Sequence, residues 1–390
     1  MLAALGGCVA LAWRDGSPVV PTDAGRGPGG TAWAFLLLLV LAFAAYLVGL
    51  ALLRRGPARF AAVAALAVAI QLAPLAAPLL LSTDAWTYWG YGELANAGLN
   101  PYTDSPSTRP DAAPYDHAGA RWRDTTTVYG PVFTLASQPL AAAAGSSADA
   151  AAWIYKLLAA AAALAAAFLA ARLSRTPAFA LAFAGWNPLL AVHLAGGGHN
   201  DAWIAALVVG ALALGAAGRP RLAGIVWAAA ILVKWVPAVF LLLRALEVRA
   251  QRRRVSHAAF AFAAATLVAL STWRYGPDWL RAFGPLARNA SGETSFALPH
   301  RLGQAGLPHT VALVLAVVCL AVGLALLARQ ARRGRARLGL AACLLLVTTP
   351  WLAAWYTAWA VPLAAAEDDD LARGVSLVLC AYLLPQAIPL

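Results

Sequence analysis

Asp84 sits in Ser82-Thr83-Asp84-Ala85-Trp86-Thr87-Tyr88, directly after the apolar run 60–81. Hydrocarbon penalises charge, so a carboxylate where a membrane helix meets water is a functional-site candidate. Taken alone, an N-cap or a solvated juxtamembrane acid explains it equally well. The residues that follow tip the balance. Tyr88, Glu93, Asn100 and Tyr102 come next, and then Arg123 and Tyr129. Aromatic faces beside carboxylates, amides and glycines suit a sugar, whose C–H face stacks on a ring and whose hydroxyls need donors and acceptors. An interfacial aromatic belt would account for the rings, but not for the acids, amide and arginine among them.

A second cluster runs from Trp186-Asn187-Pro188 through His193 to Gly196-Gly197-Gly198-His199-Asn200-Asp201. The glycines permit a tight turn, and Asn200 or Asp201 could cap a helix starting near Ala202. Capping needs one of them, so His199, Asn200 and Asp201 together point to a polar site that includes Asn187. Two metal-type ligands at i and i+2 without a third in register make no metal site, although divalent-metal dependence stays open. No Walker or dinucleotide glycine loop is present, so neither a nucleotide nor any other cofactor is expected.

Membrane elements must position these residues. Hydrophobic residues make up 62% of the 390 and charged residues 12%, far from the mix of a soluble domain. Apolar runs of about spanning length lie at 31–53, 60–81, 150–171, 177–195, 202–217, 255–273 and 309–328. Shorter ones lie at 1–13, 338–349, 352–366 and 374–390; the first reads as a short helix, since it lacks the basic start and cleavage site of a signal peptide. The fold class is therefore all-α, a polytopic membrane bundle over residues 1–390, with long polar loops at 82–128 and 274–308. Cys8, Cys319, Cys343 and Cys380 lie in apolar stretches as small hydrophobes.

The net charge of +12 reads as topology, because the arginines cluster between apolar runs, and no nucleic-acid partner is expected. Arg54, Arg55 and Arg59, Arg172 and Arg175, Arg219 and Arg221, and the clusters 244–254 and 329–337 belong on the cytoplasmic side. The Asp84 loop then faces outward. Residues 221–246 cannot be one crossing between two cytoplasmic clusters. With Lys234 and Pro237 at its middle, this stretch reads as a hairpin of two half-helices that enters and leaves on the cytoplasmic side.

Asp84 with Tyr88, Gly90, Gly98 and Asn100-Pro101-Tyr102, then Trp122-Arg123, Tyr129-Gly130-Pro131, Trp186-Asn187-Pro188, Gly197-Gly198-His199-Asn200-Asp201, Lys234 with Pro237, and Pro350-Trp351 with Trp355-Tyr356 resemble the polyprenol-phosphate-mannose-dependent alpha-mannosyltransferases of the GT-C fold. Order and spacing agree over most of 31–366. Gly92-Glu93 departs from the family's Gly-Arg pair. The resemblance implies a bundle of about 11 to 13 membrane helices and a bacterial-type plasma membrane, with the active site extracytoplasmic. It implies a polyprenyl-phosphate sugar as donor and a glycan or glycolipid as acceptor, with Asp84 as catalytic base in a single inverting displacement that gives an alpha-linked product. Arg123, His300 and Arg301, in the two outward loops, are the candidates to stabilise the leaving phosphate. A transporter or flippase is the competing class, resting on the intramembrane Lys234 and the broken helix.

Overall fold

The computed structural model describes residues 1–22, 29–253 and 255–390; Arg254, the last of one basic cluster, lies outside them. Among the described residues the chain is helix and loop, without a strand. Helix starts follow local chemistry. Ser147, Ser256 and Asp369 accept hydrogen bonds from Ala150, Ala259 and Ala372 backbone N–H groups. Pro177, Pro220 and Pro237 occupy first turns, where a missing N–H costs no hydrogen bond.

Gly30–Arg55, Ala148–Leu173 and His309–Ala331 are long and apolar enough to cross a bilayer. At 26 residues the first is about 39 Å long, enough to tilt in roughly 30 Å of hydrocarbon. Leu37, Leu41, Val48 and Leu52 stay exposed on it while Phe35, Leu39, Phe43 and Tyr46 are buried, so it is apolar on both faces, as a lipid-facing helix must be.

The expected run 177–195 departs from a straight span. Pro177–Gly185 and Pro188–Gly196 are bent by 43° at Trp186-Asn187, and the second piece ends in the π-helical turn Ala191–Gly196. The Asn187-Pro188 step causes it, since proline disfavours helix in the residue before it and Asn187 starts a new helix as its cap. Counted as one span, the pair makes four by length and composition among the described residues, where the resemblance implies about 11 to 13. The run 60–81 is helical over Phe60–Leu72 and Ala73–Ala76, then irregular up to Asp84. The remaining apolar helices, such as Asp201–Ala216, Pro220–Val233 and Leu338–Thr348, are shorter.

Basic residues gather at one end of the bundle. Arg54 and Arg373 both lie over the Phe179 ring, at 5.1 and 5.0 Å. Arg373 pairs with Asp368 at 2.6 Å, and the same carboxylate accepts from Ser174 Oγ and Arg175 N–H. Arg337 holds Asp369 through two hydrogen bonds, and Gln251 reaches the Gly334 carbonyl at 2.7 Å. Two half-helices flank Lys234, as the hairpin reading expects. Pro220–Val233 starts with Gly224 packed against Ser256 and Phe260, and Pro237–Ala250 returns to Gln251 at that same end. Its apex, Lys234, lies at the other end against Asp201.

Candidate active site

Asp84 opens the helix Asp84–Asn96, its N–H bonded to Ser82 Oγ at 3.2 Å. The Leu80 N–H to Gly196 carbonyl bond, 3.0 Å, ties the approach to Asp84 to the glycine-rich turn. Gly198 in that turn has φ +71, and a side chain there would press on Ala85 and Tyr155. His199 thereby comes to Asp84, its Nδ1 3.1 Å from Asp84 Oδ2, and the Tyr88 hydroxyl lies 3.4 Å from the same oxygen. The His199 ring stacks on Trp355 with centroids 3.7 Å apart.

Burial by itself raises the Asp84 pKa, but the His199 hydrogen bond, the His199 and Lys234 charges and the Ser82 contact outweigh it and hold the carboxyl below its ordinary value. The carboxylate is thus kept ionised by partners on two other elements, His199 and Lys234.

Two residues on, Asp201 Oδ1 accepts from Lys234 Nζ and from Trp359 Nε1, each at 2.7 Å. Neither Asn200 nor Asp201 caps the helix through its side chain, so the capping reading of this turn fails. Lys234 reaches Asp201 because Gly130, whose N–H donates to the Val233 carbonyl at 3.0 Å, lets the first loop lie on the hairpin apex. A Cβ at Gly130 would stand 2.1 Å from the Leu232 carbonyl oxygen. The Lys234 ammonium faces the rings of Tyr356, Trp359 and Tyr129 at 4.8, 5.5 and 5.9 Å.

Solvent reaches this group unevenly. Asp84 and Lys234 side chains are 12% and 16% exposed, and Tyr129, Trp355 and Tyr356 are partly exposed beside them. His193, His199, Asn200 and Asp201 lie fully beneath. The surface is therefore a carboxylate and an ammonium set among aromatic faces, over a layer of buried polar groups.

Of the residues the sequence suggests for the site, the structure brings together Asp84, Tyr88, Tyr129, His199, Asn200 and Asp201. It places the others elsewhere. Asn187 caps Pro188–Leu190 by accepting from the Leu189 and Leu190 N–H groups and is wholly buried. Asn100 spans the two long loops, donating to the Tyr275 carbonyl at 2.9 Å, and Tyr102 is a buried strut on Thr134 at 2.9 Å. Glu93 lines a small depression with Arg109 and Tyr115. Arg123 donates to the Tyr115 and Asp116 carbonyls and lies over the Tyr115 ring at 4.6 Å. His300 pairs with Glu293, and Arg301 with Tyr382 and Gln304. Lys234 and Tyr356, named in the sequence for the hairpin and the family motifs but not as site residues, prove to be site neighbours, and Trp359 joins them without a sequence signal.

Lys156 also escaped notice. It is 1% exposed, and its Nζ donates to the Leu75, Ala77 and Pro78 carbonyls at 3.1, 2.5 and 3.4 Å, fastening the turn that leads to Asp84. Lys156→Met strands buried acceptors. It should lower stability by about 1–3 kcal/mol, read as an earlier thermal midpoint in detergent; an unchanged midpoint contradicts the fastening role.

Residues 1–250 match the family model described as alpha-(1->6)-mannopyranosyltransferase, N-terminal domain. A Mycobacterium tuberculosis protein called alpha-(1->6)-mannopyranosyltransferase A is 31% identical over 333 residues, 75% of this chain and 64% of its own length. A Corynebacterium glutamicum protein of the same name is 28% identical over 137 residues, 34% of this chain and 28% of its own. No solved structure matches. Among the described residues, three helices are long and apolar enough to cross a membrane, as suits a membrane protein. The chain belongs to the alpha-(1->6)-mannopyranosyltransferase family, and it spans less than two thirds of the length of either relative.

Proposed function

We propose that this protein is a membrane mannosyltransferase with a GT-C-type bundle that moves a mannosyl residue from a polyprenyl-phosphate donor to a glycan or glycolipid acceptor on the extracytoplasmic face. The printed names of its relatives favour an alpha-(1->6) linkage. One observation carries the reading: the Asp84 carboxylate, oriented by His199 and kept ionised, opens among aromatic faces. Asp84 takes the proton of the acceptor hydroxyl as that oxygen attacks the anomeric carbon. A beta-linked donor then gives an alpha-linked product. Tyr129, Trp355 and Tyr356 offer faces to the sugars, while Tyr88 and His199 hold Asp84 and Asp201 holds Lys234.

Membranes containing the protein, given radiolabelled polyprenyl-phosphate-mannose and a mannan-like acceptor, should transfer label to the acceptor. Transfer from a polyprenyl-phosphate pentose instead reassigns the sugar, and transfer from neither removes the reading. Orientation is open to test as well. The gathering of Arg54, Arg175, Arg337 and Arg373 opposite Asp84 supports a cytoplasmic basic end. Cysteines placed at 54, 249 and 333 should be protected in intact cells, and one at 111 should label from outside. Outward labelling at 249 contradicts this orientation of the hairpin.

A further inference from the structure

We infer that Lys234 binds the phosphate of the prenyl-linked donor and stabilises it as the leaving group, a role that rests on the reading of Asp84 as the base of the same transfer. The sequence contains only two lysines, Lys156 and Lys234, against a basic complement otherwise made of arginine. Lys156 is consumed by three backbone carbonyls. Lys234 is not buried in that way. The helix break puts it at the hairpin apex with extended backbone, φ −157 and ψ 143, so its side chain leaves the helix and meets Asp201. There it makes one charged contact, to Asp201 at 2.7 Å, and keeps 16% of its side chain exposed. An ammonium has three donor hydrogens. One is used by Asp201, and the rings of Tyr129, Tyr356 and Trp359 surround the same ammonium without accepting a conventional hydrogen bond from it.

The arginine and histidine in the outward loops are less suited. Arg123 is held by loop carbonyls, and His300 and Arg301 by Glu293, Gln304 and Tyr382. The His199 and Asp201 turn sets the ammonium near enough to Asp84 for its charge to act on the carboxyl, so one site offers a base for the acceptor and a cation for the leaving group. In the step, the acceptor oxygen forms the new bond to the anomeric carbon and its proton passes to Asp84. The bond from that carbon to the phosphate oxygen breaks with its electron pair, and the prenyl phosphate departs with one further negative charge. Lys234 keeps its protons and offsets that charge in a site of low dielectric.

The two-lysine sequence makes the test direct. Wild-type protein in detergent is treated with an amine-acylating reagent and the modified peptides are quantified by mass spectrometry. A short-chain prenyl phosphate should protect Lys234, while the matching prenyl alcohol should not. Equal labelling with and without prenyl phosphate overturns the inference. Equal protection by phosphatidic acid overturns it too, since it marks a general lipid-phosphate site.

Lys234→Met should weaken product inhibition by prenyl phosphate about ten- to hundredfold, and Lys234→Arg should largely keep it. Wild-type inhibition in a folded Lys234→Met protein contradicts the assignment. Protection without any mannosyl transfer leaves this site standing and sinks the proposed function. Transfer that depends on Asp84 but not on Lys234 does the reverse.

Discussion

On the proposed function, Asp84→Asn should cut mannosyl transfer by about 10² to 10⁴, the usual contribution of a positioned general base, while donor binding persists. The amide keeps the shape and can still hydrogen-bond the acceptor hydroxyl and His199 Nδ1, but it cannot take the proton. Expression and thermal midpoint should stay near wild type, which separates chemistry from packing. The carboxyl pKa lies below its ordinary value, so the base form is present above that depressed value and is lost only as pH falls through it. Wild-type turnover should therefore hold through the ordinary carboxylate range. A loss of activity that tracks an ordinary or raised carboxylate titration would assign the acid limb to another group. Near wild-type transfer by folded Asp84→Asn protein would remove Asp84 as the base and bring back the transporter reading.

Asp201→Ala has the second large effect, and it falls on folding. The substitution leaves the Lys234 ammonium and the Trp359 N–H without their shared acceptor. Removing one partner of a buried ion pair costs about 3–5 kcal/mol, because the other charge remains buried. Lys234 is partly exposed, so the lower end of that range is expected. Asp201→Asn retains an acceptor oxygen for both donors and removes only the charge. It should fold and express, and lose about 1.5–3 kcal/mol of the interaction, seen as reduced turnover. Unchanged kinetics and an unchanged midpoint in both variants would show that the pair neither holds nor orients Lys234.

Much of the site was legible because the membrane makes charge conspicuous. Asp84 after an apolar run, and His199 to Asp201 after three glycines, stood out on residue type and spacing. The structure joins them through a single His199 to Asp84 contact. The hairpin was legible from Lys234, Pro237 and two flanking arginine clusters, since one crossing could not satisfy both. That its apex meets Asp201 was not, because the contact closes across 33 residues of chain and depends on tertiary packing.

The loop residues read differently in the structure. Asn100, Tyr102 and Arg123 have the composition of a sugar site, and in the fold they bond to Tyr275, Thr134 and Tyr115. A long outward loop must satisfy its backbone in the same polar vocabulary that a ligand would use. His300 and Arg301 show the same limit, since a loop cation does not announce that its partner is Glu293 or Tyr382. Asn187 carried a local signal, the Asn-Pro step of a cap, that was outweighed by its aromatic and glycine neighbours. The bend it makes also explains why one apolar run became two helices.

The central claim is a single displacement at the anomeric carbon with Asp84 as base, and stereochemistry tests it most directly. Purified protein is given a beta-linked polyprenyl-phosphate-mannose and an acceptor glycan, and the configuration of the first-formed product is read by NMR and by susceptibility to an alpha-mannosidase. An alpha-linked product, formed by the wild type and lost in Asp84→Asn, is the predicted result. A beta-linked product would mean retention through a second displacement and would contradict Asp84 acting as the base of one inverting step.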